Sequence, residues 1–203
     1  MRCFRIPRIL VLFAHPRLEK SRANKALLQR FPKHKHITFR DLYEEYPDLN
    51  VDVQREQALV VGQDILVLHH PFYWYSVPPL LKQWIDLVYS FGWAYGPGGT
   101  ALHGKTCFHV LTTGGNEEAY SVDGFHGHSL HEFLLPLKRT ATLCGMNWLP
   151  PFAVQGSNRL DDMELELAAT QYARLLSGLA AGTIVPDAVA ALERLNEAVP
   201  ITR

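Results

Sequence analysis

Residues 69–95 read HHPFYWYSVPPLLKQWIDLVYSFGWAY, and this stretch decides the fold. The apolar run at residues 64–70 predicts a buried β-strand that leads into it. An aromatic loop follows, and Pro78 and Pro79 then favour the first turn of a helix, where a missing N–H costs little. Apolar residues recur at helical spacing across residues 80–89. The aromatic loop therefore joins the carboxyl end of a strand to a helix, a position where ligands bind in open α/β sheets.

The alternation of strands and helices continues along the chain. Apolar runs predict five strands, at residues 8–14, 35–42, 64–70, 105–113 and 148–155. Periodicity and capping residues predict helices at residues 21–28, 52–61, 78–91, 129–145, 161–180 and 186–198, with a loop at residues 43–51. Pro136 is expected to kink the helix at residues 129–145 or to mark its true start. This alternation favours an α/β flavodoxin-like three-layer sandwich, with a five-stranded parallel sheet in the order 2-1-3-4-5.

Length and composition limit the class of protein. At 203 residues and 47% hydrophobic content, we expect one domain over residues 1–203, with a core at about 8–182 and a short helical tail. A formal net charge of zero gives no electrostatic support for nucleic-acid binding. No apolar run reaches the roughly 18–20 residues that span a bilayer, and the basic, then apolar N-terminus lacks a signal-peptide cleavage site. Cys3, Cys107 and Cys144 do not form a disulfide framework, which favours a cytoplasmic setting.

The predicted strand order brings three loops to one edge of the sheet. Strands one, three and four are neighbours, so the loops that follow them meet there, at residues 15–24, 71–76 and 112–116. In the first loop Ser21 is a plausible N-cap, and Arg22 and Asn24 add donors to a helix N-terminus that favours a phosphate. A plain N-cap is the alternative interpretation. The loop is neither a P-loop nor a G-x-G-x-x-G motif, so a triphosphate or standard dinucleotide site is not indicated.

The other two loops offer aromatic rings and backbone donors. Phe72, Tyr73, Trp74 and Tyr75 suit a flat ring, although aromatic residues are also common in cores and dimer contacts. The run Thr112-Thr113-Gly114-Gly115 offers hydroxyls and unhindered N–H groups for the polar edge of a ring that gains negative charge, or it is an ordinary glycine turn. Together, a phosphate site, an aromatic wall and a polar clamp favour flavin mononucleotide (FMN).

Two residues beyond the glycines have groups that can move protons. Tyr120 has a phenolic proton, and His126 can change its charge near neutral pH. An exposed loop histidine is the alternative interpretation for His126. With His128 and His131 it forms H-x-H-x-x-H, but the spacing crosses a predicted loop-to-helix junction and lacks an acidic or cysteine partner, so no metal site is predicted.

At these positions the chain resembles the NAD(P)H:quinone oxidoreductase family of flavodoxin-like flavoproteins. Within that family it is most similar to the short bacterial branch that contains KefF and KefG, the ancillary proteins of glutathione-regulated potassium-efflux systems. The matching stretches keep their order and spacing: FAHP at 13–16, SRANKALL at 21–28, DLYEEYPD at 41–48, HPFYWYSVPPLLKQWID at 70–86, GWAYGPGGTALHGK at 92–105, TTGG at 112–115 and CGMNWLPPF at 144–152.

The resemblance implies a bound flavin, FMN rather than FAD because the chain lacks the long C-terminal extension of the animal enzymes. Its implied flavin contacts are His15, Ser21, Arg22, Ala23, Asn24, Phe72, Tyr73, Trp74, Tyr75, Thr112, Thr113, Gly114 and Gly115. It implies ping-pong hydride transfer, in which NAD(P)H reduces the flavin and leaves before a quinone takes two electrons. Tyr120 and His126 match a Tyr and a His that stabilise charge and relay a proton in the animal enzymes. The family also implies a homodimer.

Two further functions stay open from the sequence. The chain is a regulatory subunit that activates a potassium-efflux antiporter, at the inner face of the cell membrane, if the resemblance to the ancillary proteins extends to their partner. The second open function is that of an azo- or nitroreductase that uses the same flavin. The preferred quinone and the choice between NADH and NADPH do not follow from the residues.

Overall fold

A computed structural model describes residues 6–200 and contains one parallel sheet. Its strands are β1 (Ile9–Phe13), β2 (Ile37–Asp41), β3 (Ile65–Pro71), β4 (Thr106–Thr112), β5 (Asn147–Trp148) and β6 (Phe152–Val154). The order is β2-β1-β3-β4-β5, with β6 also paired to β4, and every pairing is parallel. The predicted order 2-1-3-4-5 is confirmed. Cys3 and the rest of residues 1–5, the start of the segment considered for a signal peptide, lie outside the described residues, whereas the apolar part of that segment forms β1.

Helices cover both faces of the sheet. They are α1 (Arg22–Gln29), α2 (Leu42–Glu45), α3 (Val53–Val61), α4 (Pro79–Val88), α5 (Leu130–Phe133), α6 (Leu135–Leu143), α7 (Asp162–Ala181) and α8 (Pro186–Val189). Alternate strand residues face opposite ways. Ile9 and Val11 pack with α1 and α7, whereas Leu10 and Leu12 pack with α4 and α6. Within residues 6–200, no helix is long and apolar enough to cross a bilayer.

Prolines divide two of the predicted elements. The fifth strand separates into β5 and β6 around Pro150 and Pro151, which cannot donate ladder hydrogen bonds, although both pieces pair with β4. The helix predicted at residues 129–145 separates into α5 and α6, because Pro136 lies in the first turn of α6. The capping box of Ser129 and Glu132 at its start is confirmed.

Three predicted boundaries are wrong in detail. The loop predicted at residues 43–51 begins with α2, because the carboxylate of Asp41 accepts a hydrogen bond from the N–H of Tyr43 and caps a short helix. Helix α4 ends at Val88 rather than residue 91, because Tyr89 leaves the helical region. Residues 186–198 form α8 and a separate 3-10 helix at Leu195–Ala198 rather than one helix.

The buried carboxylate of Glu56 joins α3 to α4. Glu56 is fully buried and accepts hydrogen bonds from Arg40 (2.5 Å), Tyr46 (2.7 Å) and the indole N–H of Trp84 (2.9 Å). A buried charge is tolerated only when it is paired and hydrogen-bonded, and these three donors meet that condition. Trp84 therefore holds α4 against α3 by a polar contact as well as by packing.

The residues after α8 occupy the outer edge of β6. The N–H of Leu195 donates to the carbonyl of Pro151. The side chain of Asn196 accepts from the N–H of Ala153 and donates to its carbonyl, at 2.9 and 3.0 Å. Arg194 donates to Glu117 at 2.7 Å, in the loop that also contains Tyr120. The tail is therefore bonded both to the sheet and to the loop beside the sheet's carboxyl edge.

A histidine pair lies between β3 and β4. The Nδ1–H of His70 donates to the carbonyl of Pro71 at 2.9 Å, so its Nε2 accepts from the Nδ1–H of His109 at 2.8 Å. Burial lowers the pKa of His70 to about 4 and the pKa of His109 well below 6.5. Both rings are therefore neutral in the folded protein at neutral pH.

The pair makes folding stability depend on pH. The unfolded chain binds protons at these rings near pH 6.5, and the folded chain does so only at much lower pH. We therefore expect the free energy of unfolding to fall between pH 6.5 and pH 4, by up to about 1.4 kcal/mol per pH unit for each ring. In His109→Asn the amide N–H replaces the donor to His70, and urea unfolding at several pH values should give a smaller slope. An unchanged slope would contradict the assignment.

Candidate active site

A cavity of about 430 Å³ opens at the carboxyl edge of the sheet. It combines residues from the loops after β1, β3, β4 and β6, and its volume lies in the range of ordinary small-molecule sites. Its walls are His15, Arg17, Lys20, Ser21, Pro71, Phe72, Tyr73, Thr112, Gly114, Ser157 and Asn158. We call this space the first cavity. The three loops that the sequence placed together do meet there.

The loop after β1 places a neutral histidine and a helix N-terminus at the first cavity. The N–H of Arg17 donates to Nδ1 of His15 at 3.1 Å, and burial lowers the pKa of His15. Its proton is therefore on Nε2, which makes that atom a donor. Ser21 caps α1 by accepting the N–H of Asn24, as predicted. Arg17 and Lys20 add positive charge beside this helix end.

Three residues predicted as flavin contacts in this loop do not line the first cavity. Arg22 turns away and donates to the carbonyl of Leu160 and to Asp162 at the start of α7. Ala23 is buried in the core. Asn24 is fully buried and donates to Ser21 (2.9 Å) and Thr112 (3.0 Å), so it joins two walls of the cavity instead of facing it.

The aromatic loop is a tight turn in an unusual conformation. Tyr73 and Ser76 exchange two backbone hydrogen bonds around Trp74 and Tyr75, which have φ of 48° and 61°. Positive φ is uncommon for bulky residues and costs free energy. Phe72 and Tyr73 line the first cavity, whereas Trp74 is 93% exposed and Tyr75 stacks on Phe133. The turn therefore places Phe72 and Tyr73 in the wall of the cavity and leaves Trp74 and Tyr75 outside it, at its rim.

The glycine loop joins the first cavity to a second one. Gly114 lines both, and the second cavity has a volume of about 660 Å³ with walls that include Gly115, Glu118, Asp123, Phe125, His126 and Arg159. Thr113 is buried, and its hydroxyl donates to the carbonyl of Gly115 at 2.6 Å. Thr113 therefore braces the turn and does not line either cavity.

Tyr120 and His126 form a stacked pair beside Gly115. Their ring centroids are 4.3 Å apart, and Nδ1 of His126 lies 3.3 Å from the hydroxyl of Tyr75. A Cβ at residue 115 would lie 3.1 Å from both rings, so glycine permits this close approach. Burial, followed by the neighbouring Tyr75, raises the pKa of Tyr120. Tyr120 therefore keeps its proton at neutral pH and can donate it as a hydrogen bond.

The three histidines of H-x-H-x-x-H have separate partners. His126 contacts Tyr75, His128 lies 3.4 Å from Glu132, and His131 bonds the carbonyl of Glu193. Across the described part of the chain, no group of three or more His, Cys, Asp or Glu side chains is arranged to hold a metal ion. Cys107 and Cys144 are free and buried.

Sequence reasoning missed five residues that line the first cavity: Arg17, Lys20, Pro71, Ser157 and Asn158. Arg17 and Lys20 lie in the loop after β1, just before the N-cap. Their positive charge was an available signal for a phosphate site, but the prediction used only Arg22. Ser157 and Asn158 follow β6, whose carboxyl end lies beside that of β4. Polar residues after the fifth strand were therefore a second available signal.

Comparisons with known proteins identify the family of the chain. A family described as having a flavodoxin-like fold matches residues 7–176. The chain belongs to this family. Solved structures of similar proteins carry different names, so the family alone does not decide the reaction.

Three similar structures cover most of the chain. One, described as a thermophilic tryptophan halogenase from Streptomycin violaceusniger, is 42% identical, with a TM-score of 0.79 over 81% of this chain and 96% of that one. General stress protein 14 from Treponema denticola, in complex with FMN, is 36% identical, with a TM-score of 0.79 over 85% and 99%. An NADPH-quinone reductase from P. pentosaceus is 28% identical, with a TM-score of 0.74 over 82% and 96%.

The strained turn generates a prediction about stability. Trp74→Asn replaces an exposed ring at positive φ with a residue that tolerates this conformation, so we expect the free energy of unfolding to rise by about 0.5–1 kcal/mol. Phe125→Asn is the matched control, because Phe125 is 89% exposed and lies outside the positive-φ set. Equal changes in the two variants in urea unfolding would show that the turn stores no strain.

Proposed function

We propose that the chain is an FMN-dependent NAD(P)H:quinone oxidoreductase. The observation that carries this proposal is the first cavity, in which a capped helix N-terminus with two cations, two aromatic rings and an unhindered glycine loop line one space. The FMN complex of the relative from Treponema denticola and the NADPH-quinone reductase from P. pentosaceus support it.

The residues of the first cavity fit the parts of FMN. Ser21, Arg17 and Lys20 lie at the positive end of α1 and suit a phosphate. Phe72 and Tyr73 suit the isoalloxazine ring, and the backbone beside Gly114 suits its polar edge. Arg22, Ala23, Asn24, Thr113, Trp74 and Tyr75 would act behind this wall or at its rim.

When bound, the flavin supplies two-electron hydride chemistry, and the protein supplies positions and protons. Tyr120 and His126 lie next to Gly115, at the border between the two cavities. The neutral phenol of Tyr120 donates a hydrogen bond to developing negative charge, and the imidazole of His126, stacked on that phenol, can accept or donate a proton. The second cavity offers space for NAD(P)H and then for a quinone in turn.

A homodimer is part of this proposal. Trp74 and Phe125 are 93% and 89% exposed, and their neighbours Tyr75 and His126 contact each other on one rim. Exposed aromatic side chains are enriched in protein interfaces. A second copy on this rim would cover both cavities from solvent.

An absorbance spectrum tests the function directly. The purified protein, reconstituted with FMN, should show flavin bands that bleach when NADH or NADPH is added and recover when a simple quinone is added. A protein that stays colourless with both FMN and FAD would overturn the proposal. Flavin absorbance that recovers with azo or nitro compounds and not with quinones would assign the electron acceptor to another class of compound.

The proton groups generate a kinetic prediction. We expect Tyr120→Phe and His126→Gln each to slow flavin reduction by NAD(P)H by about 10²-fold while FMN stays bound, because positioned acids and bases contribute on that order. Stopped-flow absorbance measures the rate, and flavin fluorescence measures the binding. His128→Gln is the matched control, since His128 contacts Glu132 outside the cavities. Wild-type rates in both variants would remove the proton role.

A second candidate is a regulatory subunit of a potassium-efflux antiporter. It is favoured by the matching stretches shared with the ancillary proteins, which include the aromatic turn. Potassium efflux from cells that express an antiporter of this class, with and without the chain, tests it. Activation that persists in a variant unable to bind flavin would separate regulation from the chemistry, and no effect on efflux would contradict it.

A further inference from the structure

A buried chain of hydrogen bonds runs from α7 to the first cavity. The hydroxyl of Tyr172 lies 3.3 Å from Nδ1 of His69, and Nε2 of His69 lies 3.1 Å from Oδ1 of Asn24. The amide nitrogen of Asn24 reaches the hydroxyls of Ser21 and Thr112, both of which line the first cavity. Tyr172, His69 and Asn24 have no exposed surface. None of these three residues lines the cavity itself.

The direction of these bonds follows from counting donors and acceptors. Both amide hydrogens of Asn24 have acceptors, on Ser21 and Thr112. In the reverse orientation the amide nitrogen would face only His69, and one of its hydrogens would lack an acceptor among the described residues. Oδ1 of Asn24 therefore accepts the Nε2–H of His69. Nδ1 of His69 is then an acceptor, and Tyr172 donates to it.

This direction decides what the cavity wall presents. The hydroxyl oxygen of Ser21 accepts both the backbone N–H and the side-chain N–H of Asn24, which occupies both of its lone pairs. Its own hydrogen is left to donate into the first cavity. The hydroxyl of Thr112 also accepts from Asn24, so the hydroxyl hydrogen of Thr112 points away from Asn24. The wall therefore offers donors to a ligand whose atoms only accept, such as a phosphate.

The opposite direction would invert this wall. If Asn24 turned its oxygen toward Ser21, the hydroxyl of Ser21 would donate to that oxygen and present a lone pair to the ligand. A lone pair repels a phosphate oxygen. Burial lowers the pKa of His69 well below 6.5, so the ring stays neutral and carries a single proton. A proton on Nε2 favours the observed direction, because Nε2 then donates to Asn24 while Nδ1 accepts from Tyr172.

We propose that Tyr172 and His69 are positioning residues that fix the direction of this chain and so make the first cavity selective for the phosphate of FMN. This proposal rests on the proposed function. Tyr172 belongs to α7 and His69 to the central strand β3, so selectivity for the ligand is imposed from the core behind the cavity.

The test compares FMN with riboflavin, which lacks the phosphate. In Tyr172→Phe the ring still fills the core but the donor to His69 is lost, and we expect FMN to bind about tenfold more weakly while riboflavin binding changes by less than about twofold. Tyr89→Phe is the matched control, because Tyr89 is also buried and its hydroxyl has no partner among the described residues. Fluorescence titration measures both dissociation constants, and urea unfolding checks that each variant folds.

A second variant tests the direction itself. Gln at position 69 keeps an N–H where Nε2 of His69 lies, so Tyr172→Phe combined with His69→Gln should regain most of the preference for FMN. Nitrogen-15 NMR should show the single proton of His69 on Nε2 in the wild-type protein. In Tyr172→Phe the proton should lie on Nδ1 or exchange between the two tautomers. An Nδ1–H tautomer in the wild-type protein, or an equal loss of FMN preference in Tyr89→Phe, would overturn the proposal.

Failure of the proposed function would be visible separately. If the wild-type protein binds neither FMN nor riboflavin, the oxidoreductase assignment fails, and inorganic phosphate then serves as the probe. Phosphate should shift the amide resonances of Ser21 to Asn24 in the wild-type protein and shift them less in Tyr172→Phe. Identical shifts in the two proteins would overturn the positioning role.

Discussion

One buried amide connects the parts of the structure on which the site depends. Asn24 belongs to α1, and its side chain bonds β3 through His69, β4 through Thr112 and its own helix cap through Ser21. An unpaired amide at this depth would cost more than its hydrogen bonds contribute, so all three loops must hold their relative positions. The first cavity has a defined shape because this amide fixes the carboxyl ends of β3 and β4 against the N-terminus of α1.

The fold was largely predictable because it depends on patterns that are local in sequence. Apolar runs mark the strands, right-handed crossovers limit the possible orders to a few, and the common order for five strands is the one observed. The direction of Arg22 was not predictable, because it depends on Asp162, which lies far along the chain. Tyr172 was missed for the same reason: nothing near it in sequence indicates that its hydroxyl reaches the strand that ends at the site.

The candidate site shows a similar division. Residues at the ends of strands, such as Thr112 and Gly114, could be placed at the cavity from topology alone. Residues inside the aromatic turn could not, since the two positive-φ positions turn Trp74 outward and leave Phe72 and Tyr73 facing inward. The pairing of Tyr120 with His126 depends on a missing side chain at Gly115, which a sequence pattern presents only as a flexible loop.

The tail after α8 has a consequence for how the molecule meets other copies of itself. An edge strand exposes unpaired N–H and C=O groups that can template an additional strand from another chain. On β6 the outward carbonyl of Pro151 is bonded by Leu195, and both outward groups of Ala153 are bonded by the side chain of Asn196. Proline has no N–H to offer. The outer edge of β6 is therefore closed to strand addition by its own tail, so another copy of the chain cannot extend the sheet there.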